Sequence, residues 1–400
     1  MKVLIVNKFL HPNGGSETYI FKLGEQLRKM GHEIEFFGME HEGRCVGNRV
    51  NEYTSDTDFH GKSLKKLWYP FRIIYSGEAR KKIRKVLEDF QPDVVHVNNF
   101  NFQLTPSILY GIRAYEKKSG HRVKIIYTAH DSQLVCPNHL MMQPDHTLCT
   151  KCVSGSALNC AKYKCIHGSF VKSLLGALEA VIYRRNHVYR KFDAIIAPSE
   201  FLKKKLEHSA DLSGRIVVMH NFVDAISLDD NPQECLYVLY FGRYSQEKGI
   251  ETLLKVCDKL ADIPFVFLGS GPLEEQVNAK TNIENRGFLS GEKLYQTIRQ
   301  AAFCVIPSEC YENCPFSVME SQLCGTPVLA TKQGGIPELL QENVTGELFD
   351  AGNAEMLEEK IKCMWSNKEL LRNYSENCVH TSFANLEEYC RELIKIYEKL

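Results

Sequence analysis

The amino-acid sequence predicts an α/β protein made of two doubly wound, Rossmann-like domains joined by one linker. Three observations carry that expectation. Four hundred residues are more than one core ordinarily organises, at about 100–200 residues per domain. Short, nearly unbroken apolar runs alternate with helical periodicity, as parallel strands covered on both faces do. The series halts at an acidic, aperiodic stretch carrying Pro232, residues 222–234, and then starts again.

The first strand is VLIVNKF, broken by His11-Pro12-Asn13-Gly14-Gly15. Ile20, Leu23, Leu27 and Met30 then share one helical face, Gly31 stops the helix, and IEFFG follows as a strand. PDVVHVN (92–98), RVKIIYTAH (122–130), FDAIIAPS (192–199) and RIVVMHN (215–221) complete the first series. The second series is LYVLYFGR (236–243), IPFVFLGSG (263–271), AFCVIPS (302–308) and TPVLAT (326–331). The tail is an amphipathic helix with Leu386, Tyr389, Leu393 and Ile396 on one stripe. These elements divide the chain into residues 1–224, residues 225–380 and a terminal helix in 381–400 that can pack back on the first domain.

An apolar content of 44% and a charged content of 24% exclude disordered and collagen-like classes. The 49 basic and 49 acidic residues cancel, which argues against nucleic acid as partner. The cancellation hides a split. Through Asp224 there are 33 basic and 22 acidic residues, a net of +11; beyond it 16 and 27, a net of −11. The N-terminal apolar run is too short for a signal-peptide core, and no run approaches the roughly 18 residues of a membrane span. The chain is therefore expected in the cytoplasm, either free or peripheral on the inner face of the membrane.

Two segments break the rhythm. Residues 62–90 interleave Lys62, Lys65, Lys66, Arg72, Arg80, Lys81, Lys82, Arg84 and Lys85 with Leu64, Leu67, Trp68, Phe71 and Ile74. That composition suits an interfacial helix on anionic lipid, and equally a solvated face packed on the domain. Residues 136–168 hold Cys149-x2-Cys152-x7-Cys160-x4-Cys165, with Cys136 and His139 upstream. A structural zinc on Cys149, Cys152, Cys160 and Cys165 is one reading, and reduced, unligated thiols are the other. Cys304, Cys314 and Cys324 read as small apolar core residues.

Ligands of doubly wound sheets bind beyond the carboxyl ends of the strands. In the second half those ends carry Gly242-Arg243, Lys248-Gly249, Gly269-Ser270-Gly271, the stretch Ser308–Glu320 and Gly334-Gly335. Arg243 and Lys248 flank a turn that opens a helix, so two cations beside helix N–H groups form an anion site suited to a diphosphate. The bland alternative is a solvated loop with surface ion pairs. Pro315 should open a helix running to Leu323, leaving Glu312 in the loop above the strand and Glu320 on the second turn. Carboxylates grip hydroxyls, and the amides of Phe316 and Ser317 grip anions, so the segment suits a ligand carrying both.

Taken in order, these motifs resemble the GT4 family of retaining glycosyltransferases. In the second half the resemblance rests on Gly242-Arg243…Lys248-Gly249, Gly269-Ser270-Gly271-Pro272, Gly287-Phe288, Glu312-x7-Glu320, Gly334-Gly335-Ile336-Pro337-Glu338 and Asn343-Val344-Thr345-Gly346. In the first half it rests on Asn13-Gly14-Gly15, Asp93-Val94-Val95-His96, His130-Asp131, Pro198-Ser199-Glu200 and Asn221-Phe222-Val223-Asp224. Together they cover about residues 1–350. Phe222 stands where the family usually has glycine, and Asn313-Cys314-Pro315 is one of several variants after the first glutamate.

The resemblance implies a GT-B fold, with donor and acceptor clamped in a cleft between the domains and no catalytic metal or other cofactor. It implies a retaining transferase that uses a UDP- or GDP-sugar and a glycan or lipid-linked saccharide acceptor, in cell-surface polysaccharide assembly. Arg243 and Lys248 would stabilise the leaving diphosphate and Glu320 would hold the ribose. Glu312 would sit at the donor sugar with Pro315, Phe316 and Ser317, and His130 would bond that sugar. Gly14, Gly15 and Gly242 would let backbone approach the donor, and Phe288 and Leu289 would line the base pocket. Two alternatives stay open: a nucleotide-sugar binder that transfers nothing, and a GT-B epimerase. A dehydrogenase is disfavoured because HPNGGSE stands where a GxGxxG would follow the first strand.

Overall fold

The computed structural model describes residues 1–55, 69–223 and 235–400. They form two compact units, Met1–His220 with Leu386–Leu400, and Asn221–Asn385.

The first unit runs β1 (Lys2–Val6), α1 (Gly15–Lys29), β2 (Glu33–Phe37), α2 (Tyr69–Ile74), α3 (Gly77–Phe90), β3 (Val94–Val97) and α4 (Ser107–Ser119). It continues with β4 (Lys124–Thr128), α5 (Asn159–Lys162), α6 (Phe170–Arg185), β5 (Ala194–Ala197), α7 (Glu200–Leu206) and β6 (Ile216–Val218). The six strands pair in parallel in the order β2-β1-β3-β4-β5-β6. Every residue of β3 and β5 is buried, as both-face cover requires. β6 departs from that expectation: it is an edge strand with no buried residue.

The second unit runs β7 (Tyr237–Phe241), α8 (Ile250–Lys259), β8 (Phe265–Leu268), α9 (Glu274–Asn278), β9 (Ile283–Asn285), α10 (Glu292–Gln300) and β10 (Ala301–Ile306). Then come α11 (Phe316–Leu323), β11 (Val328–Thr331), α12 (Ile336–Leu339), β12 (Gly346–Phe349), α13 (Ala354–Ser366) and α14 (Lys368–Cys378). Its parallel order is β12-β11-β10-β7-β8-β9. Val238 and Tyr240 enter one core while Tyr237 and Leu239 enter the core on the opposite face, the period-two alternation of a central strand. The apolar-run criterion missed β9 and β12, whose sequences IEN and GELF are short and mixed.

The chain then returns to the first unit as α15 (Leu386–Lys399). Its buried stripe is Tyr389, Cys390, Leu393 and Tyr397; Leu386 and Ile396, expected on that stripe, are only partly covered, and Tyr397 takes the inward place. Tyr389 Oη lies 2.9 Å from Tyr19 Oη on α1, and Tyr397 Oη lies 2.6 Å from His96 Nδ1 on β3. His96 is fully buried, and burial with the nearby His130 pushes its imidazole down to about 3. It is a neutral hydrogen-bonding post of the core.

No helix among the described residues is long and apolar enough to cross a membrane. Of the basic segment 62–90, residues 62–68 lie outside the described residues. Ala79, Ile83, Val86, Leu87 and Phe90 of α3 are buried. Several cations of the segment meet acids: Arg72 of α2 and Lys82 pair with Glu78, Arg84 with Glu88, and Lys85 with Glu52. The α3 part is thus a helix packed on the domain, with several of its cations paired.

Candidate functional site

In each sheet the strand order reverses at one place, and the loops beyond that switch point form the natural ligand crevice. In the second unit the switch lies between β7 and β10, which pair in parallel. The loop after β7 carries Gly242, Arg243 and Lys248; the loop after β10 carries Ser308, Glu312 and Pro315.

These loops meet at an ion pair. Lys248 Nζ lies 2.6 Å from Glu312 Oε1, and Ser308 Oγ donates to the same oxygen at 2.6 Å. The Glu312 side chain keeps 13% of its surface exposed and the Lys248 side chain 33%. Burial opposes the charge on both. For Glu312 the Lys248 ammonium and the hydrogen bonds from Lys248 and Ser308 outweigh it, holding the carboxyl below the ordinary carboxylate range. For Lys248 the Glu312 carboxylate outweighs it and raises the ammonium. Both groups are charged at neutral pH.

Two glycines make this convergence sterically feasible. Gly249 sits at φ +72°, and a Cβ there would lie 1.9 Å from the Pro307 carbonyl oxygen. Gly334 sits at φ +64°, and a Cβ there would lie 2.0 Å from the carbonyl oxygen of Glu312. Gly335 N–H then donates to that carbonyl at 2.7 Å, and the N–H groups of Glu309 and Cys310 donate to the Glu247 carbonyl. The loops after β7, β10 and β11 are thus clasped by backbone.

α11 begins at Phe316 with extended Pro315 as its cap residue, and ends at Cys324 followed by left-handed Gly325. Ser317 lies in its first turn and partly buried Glu320 in its second. The loop before it is anchored by Asn221, whose N–H donates to Cys314 Sγ and whose Nδ2 donates to the Cys314 carbonyl at 3.0 Å. Phe222, 1% exposed, meets Phe316 edge to face with ring centres 6.4 Å apart. The phenylalanine that departs from the family pattern therefore buttresses the start of α11. Cys304, Cys314 and Cys324 are buried core residues, as read.

The remaining donor-side positions diverge. Arg243 and Gly242 are exposed, and Tyr240 Oη donates to the Arg243 carbonyl at 2.8 Å. Phe288 is 79% exposed, whereas Leu289 is partly buried against the core. Of the two, Phe288 offers the open face.

In the first unit the switch lies between β1 and β3. Asn7 Nδ2 donates to buried Glu17 at 2.9 Å, and Asn99 N–H donates to Asn7 Oδ1. Gly14 and Gly15 open α1 and are exposed. Gly14 is extended at φ 179°, and a Cβ would meet nothing closer than Glu17 at 3.5 Å. The fold itself has no need of glycine there. His130 follows β4; its Nε2 lies 2.8 Å from Asn98 Oδ1, and its ring meets Tyr19 edge to face at 4.8 Å. Burial lowers the imidazole to about 4, with Asp131 working the other way. His130 is neutral at pH 7; the bond to the Asn98 oxygen makes Nε2 the protonated nitrogen and Nδ1 the acceptor.

Asn98 and Tyr19 were not singled out in the sequence, and Ser308 was marked only as the start of the stretch after a strand. Ser308 and Asn98 each close an apolar strand run, the same signal that marked His130. The expected four-cysteine zinc set does not stand in ligating array: among the described residues no group of three His, Cys, Asp or Glu side chains is placed to hold a metal ion. The four thiols and Cys136 nevertheless line one small cavity.

Comparison with known proteins accords with this geometry. The profile of Glycosyltransferase Family 4 matches residues 13–226, more than half of the chain, and that of Glycosyl transferases group 1 matches residues 229–380. An uncharacterized glycosyltransferase of Methanocaldococcus jannaschii is 28% identical over 244 residues, 59% of this chain and 67% of that one. An uncharacterized protein in the cps region of Klebsiella pneumoniae is 23% identical over 361 residues, 85% and 87% of the two chains. Three further relatives, among them the sulfoquinovosyl transferase of Arabidopsis thaliana, are matched over less than half of their own length. Among solved structures, sucrose-phosphate synthase from Thermosynechococcus elongatus superposes with a TM-score of 0.70 at 16% identity, covering 100% of this chain and 98% of that one. Anabaena HepE in complex with UDP gives 0.67 at 16% identity, with both chains fully covered. The two parallel six-stranded sheets match those GT-B neighbours, and the chain belongs to glycosyltransferase family 4.

Proposed function

We propose that this glycosyltransferase moves a sugar from a UDP- or GDP-sugar to a glycan or lipid-linked saccharide in cell-surface polysaccharide biosynthesis. Transfer proceeds with retention of anomeric configuration and without a catalytic metal. The observation that carries the reading is the Lys248–Glu312 pair at the second sheet's switch point, with exposed Arg243 on the same loop as Lys248. The Klebsiella relative from a cps region and the UDP-bound HepE neighbour support the polysaccharide role and the donor class.

In this mechanism the bond between the anomeric carbon and the diphosphate oxygen breaks, and a bond from that carbon to the acceptor oxygen forms on the same face. The acceptor proton passes to the departing phosphate oxygen. Arg243 and Lys248 counter the charge that develops on the diphosphate, and the helix N–H groups of α8 and α11 add donors. Glu312 accepts from a donor-sugar hydroxyl and offsets positive charge at the ring; Glu320 accepts from the ribose. Phe288 covers the base. His130 bonds the donor sugar, and Gly14 and Gly15 admit the donor close to backbone. The protein acts in the cytoplasm beside the membrane that carries a lipid-linked acceptor, and residues 62–90 are the segment to test for anionic-lipid contact.

The experiment is incubation with a panel of UDP-, GDP- and ADP-sugars, following slow donor hydrolysis by released nucleotide. Turnover of one donor that is lost in Lys248→Ala supports transfer. Donor binding without turnover in the presence of a broad acceptor mixture would favour a binding protein instead.

A further inference from the structure

The helix α6 is built inside out. Its buried residues are Ser173, Gly176, Ala177, Glu179, Ala180 and Tyr183, most of them small. Its exposed residues are Phe170, Val171, Lys172, Leu178, Ile182 and Arg185, four of them large and apolar. A helix on a solvated surface ordinarily turns its large apolar residues inward and its polar ones out. The small inner face lets α6 lie close to its neighbours: a Cβ on Gly176 would stand 2.6 Å from Ile166 Cδ1, and Ala177 packs with Cys152 and Cys160. The outer face is a continuous stripe. Val171, Leu175, Leu178 and Ile182 follow at spacings of four, three and four residues, so they stand above one another over about 16 Å. Val171 is 65% exposed, and Leu175 is partly covered. Single exposed apolar residues need no explanation, whereas a contiguous stripe marks an interaction surface.

The charge around the stripe has one sign. From His146 to Phe192 the chain holds eight Lys and Arg residues and a single acid, Glu179. Glu179 is buried, and burial raises its carboxyl to about 8, so it puts no negative charge on the outer face at neutral pH. Exposed Lys172 and Arg185 stand near the two ends of the stripe, and exposed Lys162 and Lys164 precede the helix. The stripe also lies at the working end of its sheet. α6 is the crossover between parallel β4 and β5, so it runs back along the strands and its first turns stand at their carboxyl ends. The side chains of Phe102 and Pro137, from the loops after β3 and β4, come within 3.7 Å of where a Gly176 Cβ would be. His130 lies in the second of those loops.

We propose that the outer face of α6 docks the protein on an anionic membrane surface. The apolar stripe enters the boundary between headgroups and acyl chains, and the flanking cations meet lipid phosphates. A second copy of this chain fits the face poorly, because it would set Lys172 and Arg185 against their own equivalents with no exposed acid of α6 to pair them. Docking there serves the transferase reading above, on which it rests, by setting the loops after β3 and β4 beside the membrane that carries a lipid-linked acceptor.

The test is flotation of the full-length protein with vesicles of equimolar phosphatidylcholine and phosphatidylglycerol, beside vesicles of phosphatidylcholine alone. Wild type should float with the anionic vesicles, more at low salt than at high salt. No binding, or equal binding to the neutral vesicles, overturns the docking face. Leu178→Ser/Ile182→Ser and Lys172→Gln/Arg185→Gln should each weaken binding about tenfold or more. Binding lost only in Lys62→Gln/Lys65→Gln/Lys66→Gln, with both α6 variants bound like wild type, overturns it in favour of that segment. A dimer in sedimentation equilibrium that dissociates in Leu178→Ser/Ile182→Ser would assign the face to a second copy and overturn it too. Should the serine variant fail to fold, the charge variant still decides. Nucleotide release from a soluble donor, followed in parallel, should be unchanged in every variant. Vesicle binding lost in the α6 variants without donor turnover in any protein supports the docking face and overturns the transferase reading.

Discussion

Lys248 Nζ lies 2.6 Å from Glu312 Oε1, although 64 residues separate the two in the chain. They meet because β7 and β10 are neighbours at the point where the second sheet reverses its order. The pair is a preformed, charged and partly shielded site, and its geometry makes the first prediction quantitative.

Lys248→Ala should lower kcat by about 10²–10³-fold with a smaller change in KM, since a preorganised partner of developing charge is removed. It also leaves the Glu312 carboxylate largely buried without its cation. The double variant Lys248→Met/Glu312→Leu should therefore unfold at higher urea than Lys248→Ala alone, as broken ion pairs cost more than replaced ones. Steady-state kinetics and urea midpoints check both parts. Equal midpoints for the single and double variants would contradict this account.

Stability should fall as the pH drops below about 6.5. His96 and His130 have lowered values, about 3 and about 4, so the unfolded chain binds more protons than the folded chain between those values and the ordinary histidine range. Each group then costs about 1.4 kcal/mol per pH unit of acidification within its window. Glu312, also lowered, adds its loss only as the pH falls past the ordinary carboxylate range. Urea titrations at pH 7, 6 and 5 measure the slope, and His130→Asn should flatten it.

Tyr397→Phe should cost about 1–3 kcal/mol, because it leaves buried His96 Nδ1 without its partner across 301 residues of sequence. Tyr389→Phe should cost less, since Tyr19 Oη keeps Thr128 at 3.4 Å. Thermal unfolding of the two variants ranks them, and the reverse order would contradict the network described.

Gly249→Ala and Gly334→Ala should each impair both folding and transfer. Each places a Cβ about 2 Å from a carbonyl oxygen and imposes left-handed backbone, which alone costs about 1–3 kcal/mol. Gly14→Ala should leave stability within about 0.5 kcal/mol, because its extended backbone and open surroundings accept a methyl. Should Gly14→Ala nevertheless raise KM for the donor, its glycine serves the ligand and not the fold. Unfolding midpoints and donor KM separate the two cases.

The sequence by itself determined the two-sheet architecture, because a strand buried on both faces must be apolar along its whole length. FVFL, VVHV and VLAT announce themselves that way. It also marked the loops that follow the strands, since apolar runs stop where the chain leaves the sheet; hence the stretches that hold Lys248, Glu312 and His130. Short, mixed strands such as IEN and GELF escaped, since their placement comes from neighbouring ladders and not from their own composition. Tertiary structure alone decided the pairings: which oxygen Lys248 and Ser308 share, that Tyr397 and not Ile396 faces inward against His96, and that Phe222 buttresses Phe316. It alone gathered five cysteines around one cavity. The physical reason is the same in each case. Periodicity reports the side of an element that is buried, whereas the partner it is buried against depends on strand order and loop closure, which local sequence does not encode.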